Sequence, residues 1–287
     1  MKILIRVDAY PEIALGHLNR CINLAKCLKK YGHTVTFISY NESVAKLILS
    51  KTHFDYKFIP FKVNERQNRN KELSLLESVS DSVDLLLIDS YNVDSSYFNF
   101  LNKHFSAIGY LDDLGLDFDV DLVINPSCKV KESDYQAKNV LCGLQYVILD
   151  KKYSIGLRKV LSTNKKSILI TMGGVDHYNL SSRAIPILEK ISQDIEVNIV
   201  IGAYYKNIEL IKDAVKESCL AINLFENTSD LFSIISKSSI GLTAGGLTSY
   251  ELAALSTPSV GIALWKNQYN NIECLSNQGA LIPLYYA

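Results

Sequence analysis

One histidine lies where α/β proteins commonly place residues that do chemistry. His17 follows Gly16, after the apolar run of residues 3–7 and at the start of an amphipathic stretch, so we expect it at a helix N-terminus above the carboxyl end of a strand. The positive end of a helix disfavours an imidazolium, so a neutral ring that accepts a proton from water is expected there. A helix-capping or core histidine fits the same position. The sequence therefore offers a general base without requiring one.

Two glycine pairs follow apolar runs in the second half of the chain. Gly173-Gly174 follows residues 168–172, and Gly245-Gly246 follows residues 240–243. A glycine turn between a strand and a helix lets backbone N–H groups approach a phosphate, and two such turns in one domain indicate a diphosphate. Ordinary tight turns use the same pair. Neither loop matches GxGxxG or GxxxxGK[ST], which argues against a Rossmann dinucleotide site and a P-loop NTPase.

Other polar residues carry two interpretations each. Arg6 and Asp8 lie two apart on a predicted strand and share a face, so they form a structural pair or orient the site. Glu251, one turn into a predicted helix, accepts hydrogen bonds from ribose hydroxyls or is simply solvated. The acidic run of residues 112–121 lacks the EF-hand spacing, so we expect it to be a solvated loop. No CxxC pair occurs either, so no metal site is expected.

Apolar runs alternate with amphipathic stretches along the chain, which is typical of βαβ units and parallel sheets. We expect six strands in the first half and five in the second. Residues 150–166 are charged and lack strong periodicity, and a new strand follows them. The sequence therefore predicts two Rossmann-like α/β domains, residues 1–150 and residues 151–287, with function in the loops between strands and helices.

Composition excludes several classes of protein. The 287 residues include 30 Lys and Arg against 30 Asp and Glu, with 48% hydrophobic residues and six prolines. This balance gives no indication of a nucleic-acid partner or of disorder. The apolar stretches have only strand length, and no signal peptide is apparent, so no membrane insertion and a cytoplasmic location are expected.

Taken together, the motifs resemble those of a known family. These are the UDP-2,4-diacetamido-2,4,6-trideoxy-β-L-altropyranose hydrolases of pseudaminic acid biosynthesis and their spore-coat polysaccharide relatives. The resemblance spans the chain. The motifs that carry it are Ile5-Arg6-Val7-Asp8 with Gly16-His17-Leu18-Asn19-Arg20, Ile88-Asp89-Ser90-Tyr91, Leu111-Asp112-Asp113 with Asp121-Leu122-Val123-Ile124-Asn125, Met172-Gly173-Gly174-Val175-Asp176 with Asn179-Leu180, Ala244-Gly245-Gly246-Leu247-Thr248-Ser249-Tyr250-Glu251, and Lys266-Asn267-Gln268.

The resemblance implies a fold, a substrate and a mechanism. It implies two Rossmann-like domains facing across a cleft, the glycosyltransferase B architecture, with UDP held mainly by the second domain. It also implies inverting hydrolysis of a UDP-sugar without metal or cofactor, with His17 as the base. Supporting roles for the sugar and the base would fall to Asp8, Tyr91 and Arg6. The implied substrate-binding residues are Gly16, Arg20, Gly173, Gly174, Gly245, Gly246, Leu247, Thr248, Glu251, Asn267 and Gln268.

One residue departs from the family pattern. Members usually carry Gly-x-Gly-His in the first loop, and here Ala14 stands at the first of those glycines. An alanine is strained there if the position requires a positive φ. The departure bears on sugar specificity more than on the UDP site. Residues 64–71, a polar stretch, are expected to bear on specificity as well.

Two other functions fit the same features. A glycosyltransferase of this architecture would keep the UDP loops and the base, and would use an alcohol in place of water. A nucleotide-sugar binding protein would need the loops but not an imidazole at the reacting end, so His17 argues against it. The absence of an obvious basic and apolar patch, of the kind that lipid acceptors favour, supports the hydrolase.

Overall fold

A computed structural model describes residues 1–59, 68–155, 166–191 and 194–284. By its contacts the chain divides into two compact units, Met1–Ile148 and Leu149–Ala287. Residues 64–67 of the polar stretch and residues 156–165 of the segment expected at the domain boundary lie outside the described residues.

The first unit is a parallel sheet covered by helices. Its strand order is β3-β2-β1-β4-β5-β6-β7. This is the doubly wound order: the chain adds strands toward one edge from β1 to β3 and then toward the other edge from β4 onward. Its elements are β1 Lys2–Val7, α1 Gly16–Lys30, β2 Thr34–Tyr40, α2 Ser43–Ser50, β3 Asp55–Ile59, α3 Asn68–Glu77, β4 Leu85–Asp89, α4 Ser95–Leu101, β5 Ile108–Leu111, β6 Leu122–Asn125 and β7 Asn139–Cys142.

The second unit repeats this plan. Its sheet runs β10-β9-β8-β11-β12-β13, again parallel throughout, and reverses between β8 and β11. Its elements are β8 Lys166–Thr171, α5 Leu180–Ile191, β9 Ile195–Ile201, α6 Ile208–Glu217, β10 Ala221–Glu226, α7 Leu231–Lys237, β11 Ile240–Ala244, α8 Leu247–Ala254, β12 Ser259–Ile262, α9 Lys266–Asn277 and β13 Leu281–Leu284.

The central strands are apolar because helices cover both faces of each sheet. Among the described residues, each unit accordingly has two hydrophobic clusters. In β1, Ile5 and Val7 pack in one cluster of the first unit and Leu4 in the other. Helix α1 buries Leu18, Cys21 and Ala25 against this sheet. The alternation of strands and helices predicted from the sequence is confirmed.

The described residues contain two strands more than the sequence predicts. Both β7 and β13 are four residues long and lie at the edge of a sheet, where most of their side chains are partly or fully exposed. Strand β13 also contains Pro283, which an edge strand tolerates because it needs fewer ladder hydrogen bonds. The apolar runs in β7 and β13 are only three or four residues long, and Pro283 interrupts the second, so neither has the length by which a strand is recognised in sequence.

No helix in the described ranges is long and apolar enough to cross a membrane.

A buried arginine ties the sheet of the first unit to α3. Arg6, on β1, is fully buried, and its Nε donates to Glu72 Oε1 at 2.6 Å while its Nη1 donates to Asp8 Oδ1 at 2.7 Å. The hydroxyls of Tyr40 and Tyr97 each donate to the Glu72 carboxylate at 2.9 Å. Burial by itself raises the pKa of Glu72, but the charge of Arg6 and these hydrogen bonds outweigh it, so the pKa is lowered. The Glu72 carboxylate therefore stays ionised.

Replacing Glu72 tests this ion pair. Glu72→Gln leaves part of a buried guanidinium charge uncompensated and should lower the free energy of unfolding by about 3 kcal/mol, measured by urea denaturation with far-UV circular dichroism. Because the folded-state pKa of Glu72 lies below its unfolded value, the stabilisation is present at neutral pH and is lost as the pH falls through the folded-state value. The difference in free energy of unfolding between Glu72→Gln and the wild type should therefore become smaller as the pH is lowered.

Glu77→Gln is the matched control. Glu77 is the last residue of the same helix, is half-exposed, and lies 3.5 Å from His104. Its loss should cost less than about 0.5 kcal/mol. Equal effects of the two variants would show that the Arg6 pair contributes no more than a surface pair.

Candidate active site

His17 lies at the topological switch point of the first unit, between β1 and β4, where the order in which the chain adds strands to the sheet reverses. Strands β1 and β4 are paired with Val7 opposite Asp89, and the Asp8 N–H donates to the Asp89 carbonyl at 3.1 Å. Helix α1 begins at Gly16, so His17 occupies its first turn beside the end of β4, and its side chain is 8% exposed. Nδ1 of His17 forms a short hydrogen bond with Oδ1 of Asp89.

This contact assigns the proton of the imidazole. A carboxylate can only accept a hydrogen bond, so Nδ1 carries the hydrogen and Nε2 of a neutral ring keeps its lone pair. Nη2 of Arg20 also lies 3.2 Å from Nδ1, but both groups are donors, so that approach is a contact and not a hydrogen bond. The arrangement is that of a histidine oriented by a carboxylate, which leaves the second nitrogen available as a base.

Asp89 is fully buried, and donors from α1 surround it. Arg20 donates to it twice, from Nε at 2.7 Å and from Nη2 at 2.6 Å, and the Cys21 thiol lies 3.2 Å from Oδ2. Burial raises the pKa of Asp89, but the charges of Arg20 and His17 and their hydrogen bonds outweigh it and hold the pKa well below its ordinary value. Asp89 is therefore a fixed negative charge beside the imidazole.

Tyr91 packs on the His17 ring and connects it to Asp113. The Tyr91 ring meets the His17 ring edge to face, with centroids 4.6 Å apart and planes at 87°. The Tyr91 hydroxyl donates to Asp113 Oδ2 at 2.9 Å, and Arg20 Nη1 lies 3.3 Å from the same oxygen. His17, Arg20 and Tyr91, all three predicted from the sequence, are thus brought together.

Arg6 and Asp8 form the pair that the sequence offered as one of two possibilities. Besides accepting from Arg6, Asp8 accepts from the Ser90 hydroxyl at 2.5 Å, and both charged side chains are buried. Ser90 follows Asp89 directly. Asp8 therefore connects the loop after β1 to the loop after β4, next to the His17–Asp89 pair.

Ala14 does lie in the left-handed region that the glycine of the family pattern would favour. Its φ is 57°, and it pairs with Tyr10 in an isolated bridge within the loop before α1. At Gly16 the α-carbon borders open space, because an added Cβ would meet no heavy atom of the described residues within 4 Å. The loop therefore restricts the backbone conformation at Ala14, whereas at Gly16 there is room for a larger side chain or for a ligand.

The first glycine turn of the second unit leads into a helix start that is already occupied. Gly173 has a φ of 78°, and Gly202 lies so close to Gly174 that a Cβ on Gly202 would be 2.4 Å from the Gly174 α-carbon. Asp176 is buried, and its carboxylate accepts from the backbone N–H groups of Leu180 at 2.8 Å and Ser181 at 2.9 Å. These are the first amides of α5, so a side chain already neutralises this helix end.

The second glycine turn leads into an open helix start. Gly246 is extended, and within the described residues no side chain caps α8, which begins at Leu247 and continues with Thr248. Gly245 packs on α9, since a Cβ there would lie 2.7 Å from Ile272 and 2.9 Å from Gln268. The loop thus presents uncapped backbone amides, which suit an anion.

The remaining predicted residues of the second unit lie around this loop. Burial raises the pKa of Glu251 above its ordinary value, although hydrogen bonds with Tyr153 and Thr248 act against the shift. Gln268 accepts the Leu264 N–H at 2.9 Å through Oε1 and thereby shapes the turn into α9, where Asn267 is the second residue. Trp265, which precedes α9, is about half exposed.

Sequence reasoning missed Asp89, Asp113 and Glu72 as functional or supporting residues. Asp89 was visible at the end of a predicted strand, but its partner depends on β4 lying beside β1. Of the acidic run, Asp112 is a structural clamp that accepts from the N–H groups of Leu114, Gly115 and Leu116 at 2.9–3.0 Å. Within the described ranges no group of three or more His, Cys, Asp or Glu residues could hold a metal ion.

Comparison with solved structures identifies the class of fold. MurG of Acinetobacter baumannii superposes with a TM-score of 0.69 at 14% identity, covering 99% of this chain and 86% of that one. A glycosyltransferase of Rickettsia africae gives 0.64 at 16% identity, covering 99% and 84%. MnaA of S. aureus, solved with UDP, gives 0.60 at 18%, covering 91% and 78%. The chain therefore has the two-domain α/β fold of the glycosyltransferase B architecture.

Sequence comparison narrows the resemblance, and no family model matches the chain. The UDP-2,4-diacetamido-2,4,6-trideoxy-β-L-altropyranose hydrolase of Campylobacter jejuni is 23% identical over 100% of both chains. The spore coat polysaccharide biosynthesis protein SpsG of Bacillus subtilis is 21% identical over 99% of this chain and 84% of its own. The chain spans 57% of an uncharacterized protein of Methanocaldococcus jannaschii that is 23% identical over 96% of this chain. The resemblance indicated by the motifs is confirmed along nearly the whole chain.

Two alanine-to-glycine substitutions test the backbone at Ala14. Ala14→Gly removes the steric cost of a left-handed alanine, about 1–2 kcal/mol, against an entropic loss of about 0.4–1 kcal/mol. The free energy of unfolding should stay level or rise by up to about 1 kcal/mol. Ala25→Gly, in the buried interior of α1, should lower it by at least about 1 kcal/mol. A similar loss in both variants, measured by urea denaturation, would place Ala14 outside the left-handed region.

Proposed function

We propose that this protein is an enzyme that hydrolyses a UDP-linked 2,4-diacetamido-2,4,6-trideoxyhexose at the anomeric C–O bond, giving free sugar and UDP with inversion. The observation that carries the proposal is the buried His17–Asp89 pair at the switch point of the first unit. The Campylobacter relative named as such a hydrolase supports the substrate class. We place the reaction in the biosynthesis of pseudaminic acid or a related surface glycan.

In this mechanism His17 is the general base. With Nδ1 donating to Asp89, Nε2 takes a proton from water as the water oxygen attacks the anomeric carbon. The C–O bond to the diphosphate breaks, and its electron pair leaves with UDP. Asp89 keeps the ring in one orientation and stabilises the imidazolium that forms. Tyr91, which packs against the ring, and Asp8, through Ser90, support this geometry.

We assign UDP to the second unit and its diphosphate chiefly to the loop before α8. The uncapped amides there suit a phosphate, whereas Asp176 already occupies the start of α5. Gly173 and Gly174 then let the diphosphate come close to the backbone of their loop, but the first amides of α5 behind them already donate to Asp176. Glu251 accepts from the ribose hydroxyls, and Asn267 and Gln268 lie toward the phosphate or sugar. The UDP co-structure of S. aureus MnaA supports a uridine nucleotide on this fold.

A glycosyltransferase is the second candidate. Structures that superpose well on the chain include proteins described as glycosyltransferases, and such an enzyme would use the same base on an alcohol. A nucleotide-sugar binding protein without chemistry is less favoured, because a histidine held by a buried carboxylate is not needed for binding alone. Supplying the UDP-sugar with and without an alcohol acceptor separates these functions, since only a hydrolase releases reducing sugar in water alone.

His17→Asn should separate chemistry from binding. The variant keeps a polar side chain but lacks the basic nitrogen, so UDP release should fall by ~10²–10⁴-fold while UDP affinity holds. His33→Asn is the control, because His33 lies in the same unit between α1 and β2, and its ring contacts the N-terminal amine, away from Asp89 and Tyr91. In ¹⁸O-water the label should enter the sugar. Label in UDP would mean attack at phosphorus and would overturn the role of His17.

Glu251→Ala should weaken UDP binding. Loss of a buried hydrogen bond to ribose costs about 1–3 kcal/mol, or about 5–150-fold in Kd, measured by calorimetry with UDP. Glu209→Ala, at an exposed position in the first turn of α6, serves as the control and should bind as wild type does. Unchanged affinity in Glu251→Ala would place the ribose elsewhere.

A further inference from the structure

Two carboxylates in the first unit share one guanidinium unequally. Arg20 gives both of its short hydrogen bonds, 2.7 and 2.6 Å, to Asp89, whereas its Nη1 lies 3.3 Å from Asp113. One positive charge therefore faces two negative charges. Because Asp89 takes most of the interaction, the charge of Asp113 is only weakly compensated.

The two carboxylate oxygens of Asp113 are also unequally satisfied by hydrogen bonds. Oδ1 is buried and has no hydrogen-bond partner among the described residues, while Oδ2 accepts from Tyr91 and Arg20. The side chain is 14% exposed. A buried carboxylate oxygen without a donor is unfavourable, and such a group calls for an explanation in function. The turn that carries it is held by Asp112, so Asp113 is fixed in place.

Among the described residues, the ionisable side chains that contact His17, Asp89 or Asp113 come from three elements. Arg20 and Cys21 belong to α1, Asp89 and Tyr91 to the end of β4 and the loop after it, and Asp113 to the loop after β5. Tyr110, on β5, is buried, and burial and the nearby carboxylates raise its pKa far above neutrality, as they do for the Cys21 thiol. Both groups are therefore uncharged at neutral pH. With a neutral imidazole, the charged groups Arg20, Asp89 and Asp113 leave one net negative charge.

We infer that Asp113 is a positioning residue for the base: its charge, held beside His17 by Arg20 and Tyr91, stabilises the imidazolium formed during the reaction. The inference rests on the proposed function for its chemistry. As water attacks, its O–H bond breaks, the proton moves to Nε2 of His17, and the net charge of the cluster falls to zero. The negative charge of Asp113, which Arg20 compensates only weakly, thus favours protonation of the His17 ring.

Two conservative variants separate this electrostatic role from a purely geometric one. Asp113→Asn keeps an oxygen that accepts from the Tyr91 hydroxyl but removes the charge. Tyr91→Phe keeps the charge and the ring but removes the hydroxyl bond. Asp117→Asn is the matched control, because Asp117 is an exposed carboxylate in the same acidic run. If the folding of Asp113→Asn is impaired by circular dichroism, Asp113→Ser provides the uncharged variant.

The first measurement is kcat and KM for UDP-sugar cleavage across pH. Asp113→Asn should lower kcat by about tenfold or more and move the low-pH limb of the rate profile to lower pH by about one unit, since an uncharged neighbour makes the ring harder to protonate. Affinity for UDP should not change. Tyr91→Phe should leave the limb in place, and Asp117→Asn should match wild type. Equal losses in Asp113→Asn and Tyr91→Phe with an unmoved limb would overturn the electrostatic role.

The second measurement needs no activity. The ¹⁵N shifts of the His17 ring, assigned with His17→Asn, can be followed by NMR during a pH titration of the full chain without substrate. The midpoint should lie at lower pH in Asp113→Asn than in wild type. An unmoved midpoint would overturn the inference whatever the enzyme activity. A moved midpoint in a protein that cleaves no UDP-sugar would reject the proposed function and leave the electrostatic coupling of Asp113 and His17 standing.

Discussion

The buried carboxylate of Asp89 is the group on which the site of the first unit depends. A buried negative charge must be surrounded by donors, and here they come from residues 17, 20 and 21 of α1. That spacing of three and four residues places all three side chains on one face of the helix. The contact therefore docks the first turns of α1 against the end of β4. It sets the tautomer of the imidazole at the same time.

The two units share one strand order but use their helix starts differently. In the first unit, the start of α1 carries a histidine held by a carboxylate across the switch point. In the second, Asp176 neutralises the start of α5, while α8 lacks a side-chain cap in the described part of the chain. The same topology thus supplies a proton-accepting group in one unit and an anion-accepting loop in the other.

Sequence reasoning succeeded where the signal is local. The position of His17 at a helix start, the glycine turns, and the alternation of strands and helices depend on short stretches of chain, and each could be read directly. The partner of His17 could not, because Asp89 is 72 residues away and meets it only when β4 lies beside β1. Glu72 and Asp113 were missed for the same reason. The Asp176 cap was missed because an acidic residue near a glycine turn looks the same whether it faces solvent or closes a helix.

Trp265 gives the second unit an optical property that the first lacks. It is the chain's single tryptophan, it is about half exposed, and it stands directly before α9, next to the turn that Gln268 shapes. Intrinsic emission excited at the red edge of the protein's absorption therefore originates beside the loops assigned to the nucleotide. The other unit contributes only tyrosine. The molecule thus carries its native fluorophore in one of its two units, beside the loops assigned to the nucleotide.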